Sequence, residues 1–205
     1  MLRLGTRTIL PLAVVLLAAL LVPAPAQAAD ARWRGVITFD KNQKNPHNSE
    51  IRWHLYRVVN GKFTLKETAK WRAGSGMGGK RGRNACVRNV GWLPNGTYRI
   101  KHHRNYWGNF IKGRAFQLDD KRCSNGTRRQ ALFIQTEQGD RNRQCRDRRG
   151  DQVCRWEFPK FNDYKSAGCI KMSPGDLRAL SNRYLDVFRS GVHYRKYKVV
   201  LRVIS

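Results

Sequence analysis

Apolar and polar residues alternate one by one through much of this chain. In "EIRWHLYRVV" (residues 50–59), Ile51, Trp53 and Leu55 alternate with Arg52, His54 and Tyr56, the period of two expected of a strand with one buried face. "WRGVITFD" ahead of it carries the same signal around Val36, Thr38 and Phe39. Asn60-Gly61 follows, a pair that tolerates positive φ and predicts a hairpin turn, so "KFTLKETAKWRAG" should return antiparallel. A Pro-Asn-Gly turn leads "GWLPNGTYRIKHH" into a further strand, and "GRAFQLDD", "QALFIQTEQ" and "YKVVLRVIS" supply three more. One stretch has the other period. In "SPGDLRALSNRYLDVFRSG", Leu177, Leu180, Tyr184, Leu185 and Phe188 fall on one helical face. Ser173 is placed to cap that helix, with Pro174 at its first position, Asp176 in its first turn and Gly191 at its end. "GSGMGGKRGRN" has neither the spacing nor the Lys-Ser/Thr of a phosphate-binding loop and reads as a flexible loop. The prediction is a mainly β domain, a sandwich or sheet, with one prominent helix.

The first residues carry a different pattern. Arg3 and Arg7 precede the uncharged "ILPLAVVLLAALLV", and "PAPAQAA" then offers small residues at Ala26 and Ala28. That order is expected of a secretory signal peptide cut after Ala28. The apolar run falls short of the roughly 18–20 residues of a spanning helix, so no stable membrane span is expected in the mature chain. Residues 29–205 are then one domain, exported and either secreted or associated with the cell wall.

Charge narrows the partners. The 205 residues hold 41 Lys and Arg against 14 Asp and Glu, a net charge of +27. Such a field favours polyanions; in an exported protein these are anionic cell-wall polymers rather than nucleic acid. Cysteine arithmetic narrows the chemistry. Of Cys86, Cys123, Cys145, Cys154 and Cys169, four can pair in an oxidising compartment and one is left over. Cys145 and Cys154 flank the polar "RDRRGDQV" and can close it as a disulfide. They lack the second close Cys/His pair of a zinc site. Cys86 with Cys123 is the natural second bridge, although sequence permits other pairings. On this pairing Cys169 is the odd thiol, and neither a metal nor a cofactor is called for.

Cys169 lies in "YKSAGCIKMSPGDLRAL", between an extended segment and the capped helix. Gly168 allows close backbone approach to a substrate, and the N–H groups of Gly168 and Cys169 are candidates for facing a developing oxyanion. Lys165 and Lys171 are expected to favour thiolate over thiol.

The stretch "SAGCIKMSPGDLRAL" resembles the signature of the L,D-transpeptidase catalytic domain family, Ser/Thr-x-Gly-Cys-apolar-basic leading into a helix. "WHLYRVVNGKFTLKETAKWRAGSG" is similar to that family's opening hairpin, "GWLPNGTYRI" to its Thr-Pro-x-Gly-x-aromatic-x-Ile step, and "ALFIQTEQG" to the strand that carries its catalytic histidine. The likeness runs roughly from Ile51 to Leu185. It implies an L,D-transpeptidase-like fold and a cysteine acyltransferase acting on peptidoglycan stem tetrapeptides, with the terminal D-residue displaced and the acyl group passed to an amine or to water. By the same resemblance Cys169 is the nucleophile, Gly168 belongs to the oxyanion region, and Ser166 takes the motif's hydroxyl position. Lys171 stands where arginine is common and is the substrate-binding candidate.

One position departs from the pattern. Gln135 stands where the family's strand ends in histidine, and glutamine does not accept a proton near neutral pH. Loss of such a base ordinarily costs about 10²–10⁴ in rate. His102 and His103 follow "GTYRI" and are the histidines placed to approach from a neighbouring strand, though an ordinary surface position is the plainer reading; His54 and His193 read as structural or solvated. Two functional classes therefore stand: a cysteine transpeptidase or carboxypeptidase, and a catalytically impaired homologue that binds peptidoglycan or anionic wall polymers.

Overall fold

A computed structural model describes residues 32–189 and 198–205. The signal-peptide segment, the cut after Ala28, Gly191 and His193 lie outside the described residues. Among these residues ten strands and two α-helices follow in the order β1 (Arg32–Asp40), β2 (Ser49–Val59), β3 (Lys62–Ala73), α1 (Gly79–Arg83), β4 (Gly96–Trp107), β5 (Lys112–Leu118), β6 (Lys121–Arg122), β7 (Arg128–Arg129), β8 (Phe133–Gln135), β9 (Ile170–Lys171), α2 (Pro174–Val187) and β10 (Val199–Ile204), with short 3-10 turns at Pro46–Asn48 and Asp140–Asn142. The architecture is mainly β with one prominent helix.

Eight strands form one mixed sheet in the order β3-β2-β1-β10-β4-β5-β8-β9, and β6 pairs with β7 in a separate ribbon. β1 runs parallel to β10, and β8 parallel to β9. Asn60 and Gly61 both have positive φ (49° and 76°) at the β2–β3 turn, the conformation a two-residue hairpin needs. The alternation in β2 has its physical origin in the core: Ile51, Trp53 and Leu55 are buried while their neighbours are not.

The core lies between the sheet and α2. Leu177, Leu180, Tyr184 and Phe188 pack against Trp53, Tyr98, Phe116, Ile134 and Ile170, each buried side chain contributing about 1.5–3 kcal/mol. The Ser173 hydroxyl accepts the Asp176 N–H at 3.2 Å, and Pro174 opens the helix; such a cap stabilises by about 1 kcal/mol.

Two local expectations are corrected. Leu185 is exposed rather than part of the apolar face, because α2 turns it away from the core that Tyr184, Val187 and Phe188 pack against. The glycine-rich basic segment is not wholly a loop: Gly79–Arg83 forms the single turn of α1, held by Gly82 N–H to the Gly78 carbonyl. The strand expected from "GTYRIKHH" is β4, which runs through His102 and His103 to Trp107 and pairs with β5.

Candidate active site

The site is assembled where β8 and β9 run side by side. Ile134 pairs with Ile170, and Gln135 with Lys171. Side chains alternate across a sheet, so Ile134 and Ile170 enter the core under α2 while Phe133, Gln135, Cys169 and Lys171 take the opposite face. There Ala115, Phe133 and Cys169 form a second apolar cluster, lined by Tyr106 and Ile111. The parallel pairing thus brings the odd cysteine next to the residue that replaces the expected histidine.

Cys169 is the one free cysteine among the described residues and is 8% exposed. Its thiol points to the Ala131 carbonyl, 3.6 Å away. The Phe133 main-chain N–H and the Gln135 side chain are close enough to the sulfur to favour its thiolate form. Burial raises the thiol from an ordinary 9.0 to about 11, against the opposing pull of Phe133 N–H, the Arg129 charge and Gln135. Desolvation disfavours the charged form, and here it outweighs the three groups that favour thiolate.

The turn ahead of the sulfur is built around Ser166. Its hydroxyl accepts the N–H groups of Gly76 and Gly168, both at 3.2 Å, and donates to the Cys169 carbonyl at 2.5 Å. Ser75 Oγ accepts the Leu93 N–H and lies 3.5 Å from the Gly168 carbonyl. The segment holding Gly74 pairs with Lys171 in both directions, at 2.9 and 2.8 Å. Ser166 is therefore an internal tie of the turn. The Gly168 N–H, expected to face an oxyanion, is instead engaged by Ser166.

Sequence reasoning missed Arg129. This side chain is buried, and its guanidinium donates to the carbonyls of Ala85, Trp92 (3.2 Å), Gly91 (2.8 Å) and Ala167 (3.2 Å). It clamps the turn ahead of Cys169 to the segment that carries Cys86. Among 41 basic residues, nothing in the sequence marks this one. It also replaces the expected cations at the sulfur: Lys171 is directed into an ion pair with the buried Glu137, and the positive charge acting on Cys169 is that of Arg129. The expectation that Lys165 and Lys171 activate the thiol is corrected accordingly, because the Glu137 carboxylate holds the Lys171 ammonium.

His103 does not supply a base. It lies on the α2 face, its ring against Phe116 and Tyr184 and its Nε2 3.1 Å from Ser181 Oγ. Burial lowers it to about 4, with the Arg114 charge adding to the effect. His102 pairs with Gln117, which in turn pairs with Phe133; at 4.7–4.9 Å per strand its backbone lies three strand spacings, about 14 Å, from that of Cys169.

Cys86 is bonded to Cys123, and Cys145 to Cys154. The first bridge fixes the chain beside Ala85, whose carbonyl Arg129 holds. The second closes the loop between Gln135 and Ser166. On the α2 side, a cleft of about 410 Å³ is lined by Arg114, Arg141 and Arg178 beside Pro174 and Gly175.

No protein-family model matches the chain, and no curated protein matches it either. Two solved structures are similar. Bdellovibrio bacteriovorus Bd1075 superposes with a TM-score of 0.43 at 12% identity, over 83% of this chain and 48% of that one. The helical cell shape determining protein Pgp2 from Campylobacter jejuni superposes with a TM-score of 0.41 at 16% identity, over 85% of this chain and 50% of that one. The chain spans about half the length of each.

Proposed function

We propose that this protein is an exported L,D-transpeptidase-like acyltransferase of peptidoglycan, with Cys169 as its nucleophile. The observation that carries the reading is the pairing of β8 with β9, which places Gln135 on the sulfur of a free cysteine held in a glycine turn. Sγ adds to the carbonyl carbon between the third and fourth residues of a stem tetrapeptide. The C–N bond then breaks, and the terminal D-residue departs as an amine carrying the thiol proton. The resulting thioester passes its acyl group to an acceptor amine or to water, and the thiol is restored. Gln135 orients the sulfur and does not accept its proton. Arg129 and Ser166 are positioning residues that fix the turn.

A second reading, a protein that binds wall polymers without turnover, is favoured by the state of the thiol. With the group at about 11, only about one molecule in 10⁴ carries a thiolate at pH 7. The arginine-lined cleft beside α2 gives such a protein an anion-binding surface.

Mass spectrometry after incubation with a carbapenem or a stem tetrapeptide separates the two. An adduct on the native chain that is lost in Cys169→Ala supports acyl transfer. No adduct on the native chain, together with co-sedimentation with peptidoglycan, overturns it in favour of binding.

A further inference from the structure

Acidic residues are scarce in this chain, yet five of the fourteen come together around the loop closed by Cys145–Cys154: Glu137, Asp147, Asp151, Glu157 and Asp163. One carboxylate oxygen from each of Glu137, Asp151 and Asp163 lies within 4.8 Å of the other two. Lys171 pairs with Glu137 and Lys160 with Asp147. Among the described residues no ion pair offsets Asp151, Glu157 or Asp163.

The two inner carboxylates are nearly inaccessible, Glu137 at 5% and Asp163 at 2% exposure. Each has one oxygen in use. Glu137 Oε1 meets Lys171, and Asp163 Oδ2 accepts the main-chain N–H groups of Glu157 and Phe158. The remaining oxygens, Glu137 Oε2 and Asp163 Oδ1, are buried without a hydrogen-bond partner among the described residues, as is Glu157 Oε2. A buried carboxylate oxygen left unpaired is costly, and the two on Glu137 and Asp163, clustered with Asp151, call for a shared positive partner.

We propose that Glu137, Asp151 and Asp163 form a binding site for a hard divalent cation, calcium in preference to magnesium. Carboxylate oxygens are the ligands such ions take. Calcium accepts several carboxylates in a flexible shell with bonds of 2.3–2.6 Å, so oxygens up to about 5 Å apart can share one ion, whereas magnesium demands near-ideal octahedral geometry and keeps several of its waters. Three protein carboxylates with oxygens within 4.8 Å of one another suit the first ion better than the second. Asp151 is exposed and supplies the way in, and water completes the coordination. Once bound, the ion ties the disulfide loop to the chain on either side of it, from Glu137 just after β8 to Asp163 just before the nucleophile turn. The site is independent of Cys169 chemistry.

Terbium luminescence on the purified full chain, after chelator treatment, tests the site. Trp156 packs on Tyr164, its ring centroid 4.9 Å away, next to Asp163, and serves as the antenna. Saturable emission is expected. Calcium should displace terbium at about 10⁻⁴–10⁻³ M, the range of extracellular sites, and magnesium only at about tenfold or more above that. Asp151→Asn, at an exposed position, should weaken binding about tenfold while leaving the chelator-treated melting temperature unchanged. Asp163→Asn, which keeps one acceptor for the two N–H groups, should abolish it. Emission that does not saturate, affinity unchanged in Asp151→Asn, or no rise in melting temperature with millimolar calcium overturns the proposal.

Discussion

Arg129 Nη2 occupies the space where a β-carbon on Gly168 would sit. Gly168 also has φ of +126°, a region that residues with side chains rarely adopt. Glycine precedes the cysteine here for two coincident reasons, one conformational and one steric.

Gly168→Ala should therefore destabilise the fold by about 2–3 kcal/mol, since strain and displacement of a buried guanidinium act together. Arg129→Met should cost a comparable amount, because four carbonyls lose their shared donor. Urea denaturation of both variants checks this. Behaviour like the native chain in either would show that the clamp does not hold the turn.

The Cys169 thiol gives a pH signature. Its folded value, about 11, lies above the ordinary 9.0, so the stability it contributes is complete below pH 9 and is lost as pH rises towards 11. The loss amounts to about 3 kcal/mol and should vanish in Cys169→Ala. Alkylation by iodoacetamide should rise close to tenfold per pH unit through the same window. A plateau near pH 8 would contradict the burial of the sulfur.

Gln135→His restores a base on the strand already touching the sulfur. Acyl-enzyme formation should accelerate about 10²–10⁴-fold, measured by single-turnover mass spectrometry. The midpoint of its pH profile should fall below that of the native chain.

His103 contributes at the acid end. Buried and lowered to about 4, it stays neutral in the fold while the unfolded chain takes up a proton near 6.5. Stability is complete above pH 6.5 and is lost as pH falls towards 4, by up to about 3 kcal/mol. In His103→Leu the slope of stability between pH 4 and 6.5 should flatten.

The elements of this fold were legible wherever burial imposed a period. β2 reads directly because every second side chain enters the core, and α2 because Ser173, Pro174 and Asp176 mark its start as Leu177, Leu180 and Tyr184 mark its face. The site was legible only in part. Cys169 and Gly168 can be singled out along the chain, because an odd thiol and a glycine beside it are local facts, and Gln135 stands out only against the resemblance. Arg129 and Glu137 cannot. Their importance comes from what they touch after folding: four carbonyls from two distant segments in one case, and Lys171 across a strand pair in the other. Lys171 was misread for the same reason, since a lysine two residues from a cysteine in sequence points where its nearest carboxylate lies.

β10 joins the two halves of the sheet, with β1, β2 and β3 on one side and β4, β5, β8 and β9 on the other. It comes after all of them in sequence. Neither half can dock through this strand until the last segment of the described chain is available, so the sheet closes as a late step that depends on long-range pairing. Until then both flanking strands present open edges, which pair promiscuously when left uncovered. A chain lacking residues 199–204 would keep every residue of the site around Cys169 and still leave β1 and β4 without the strand between them.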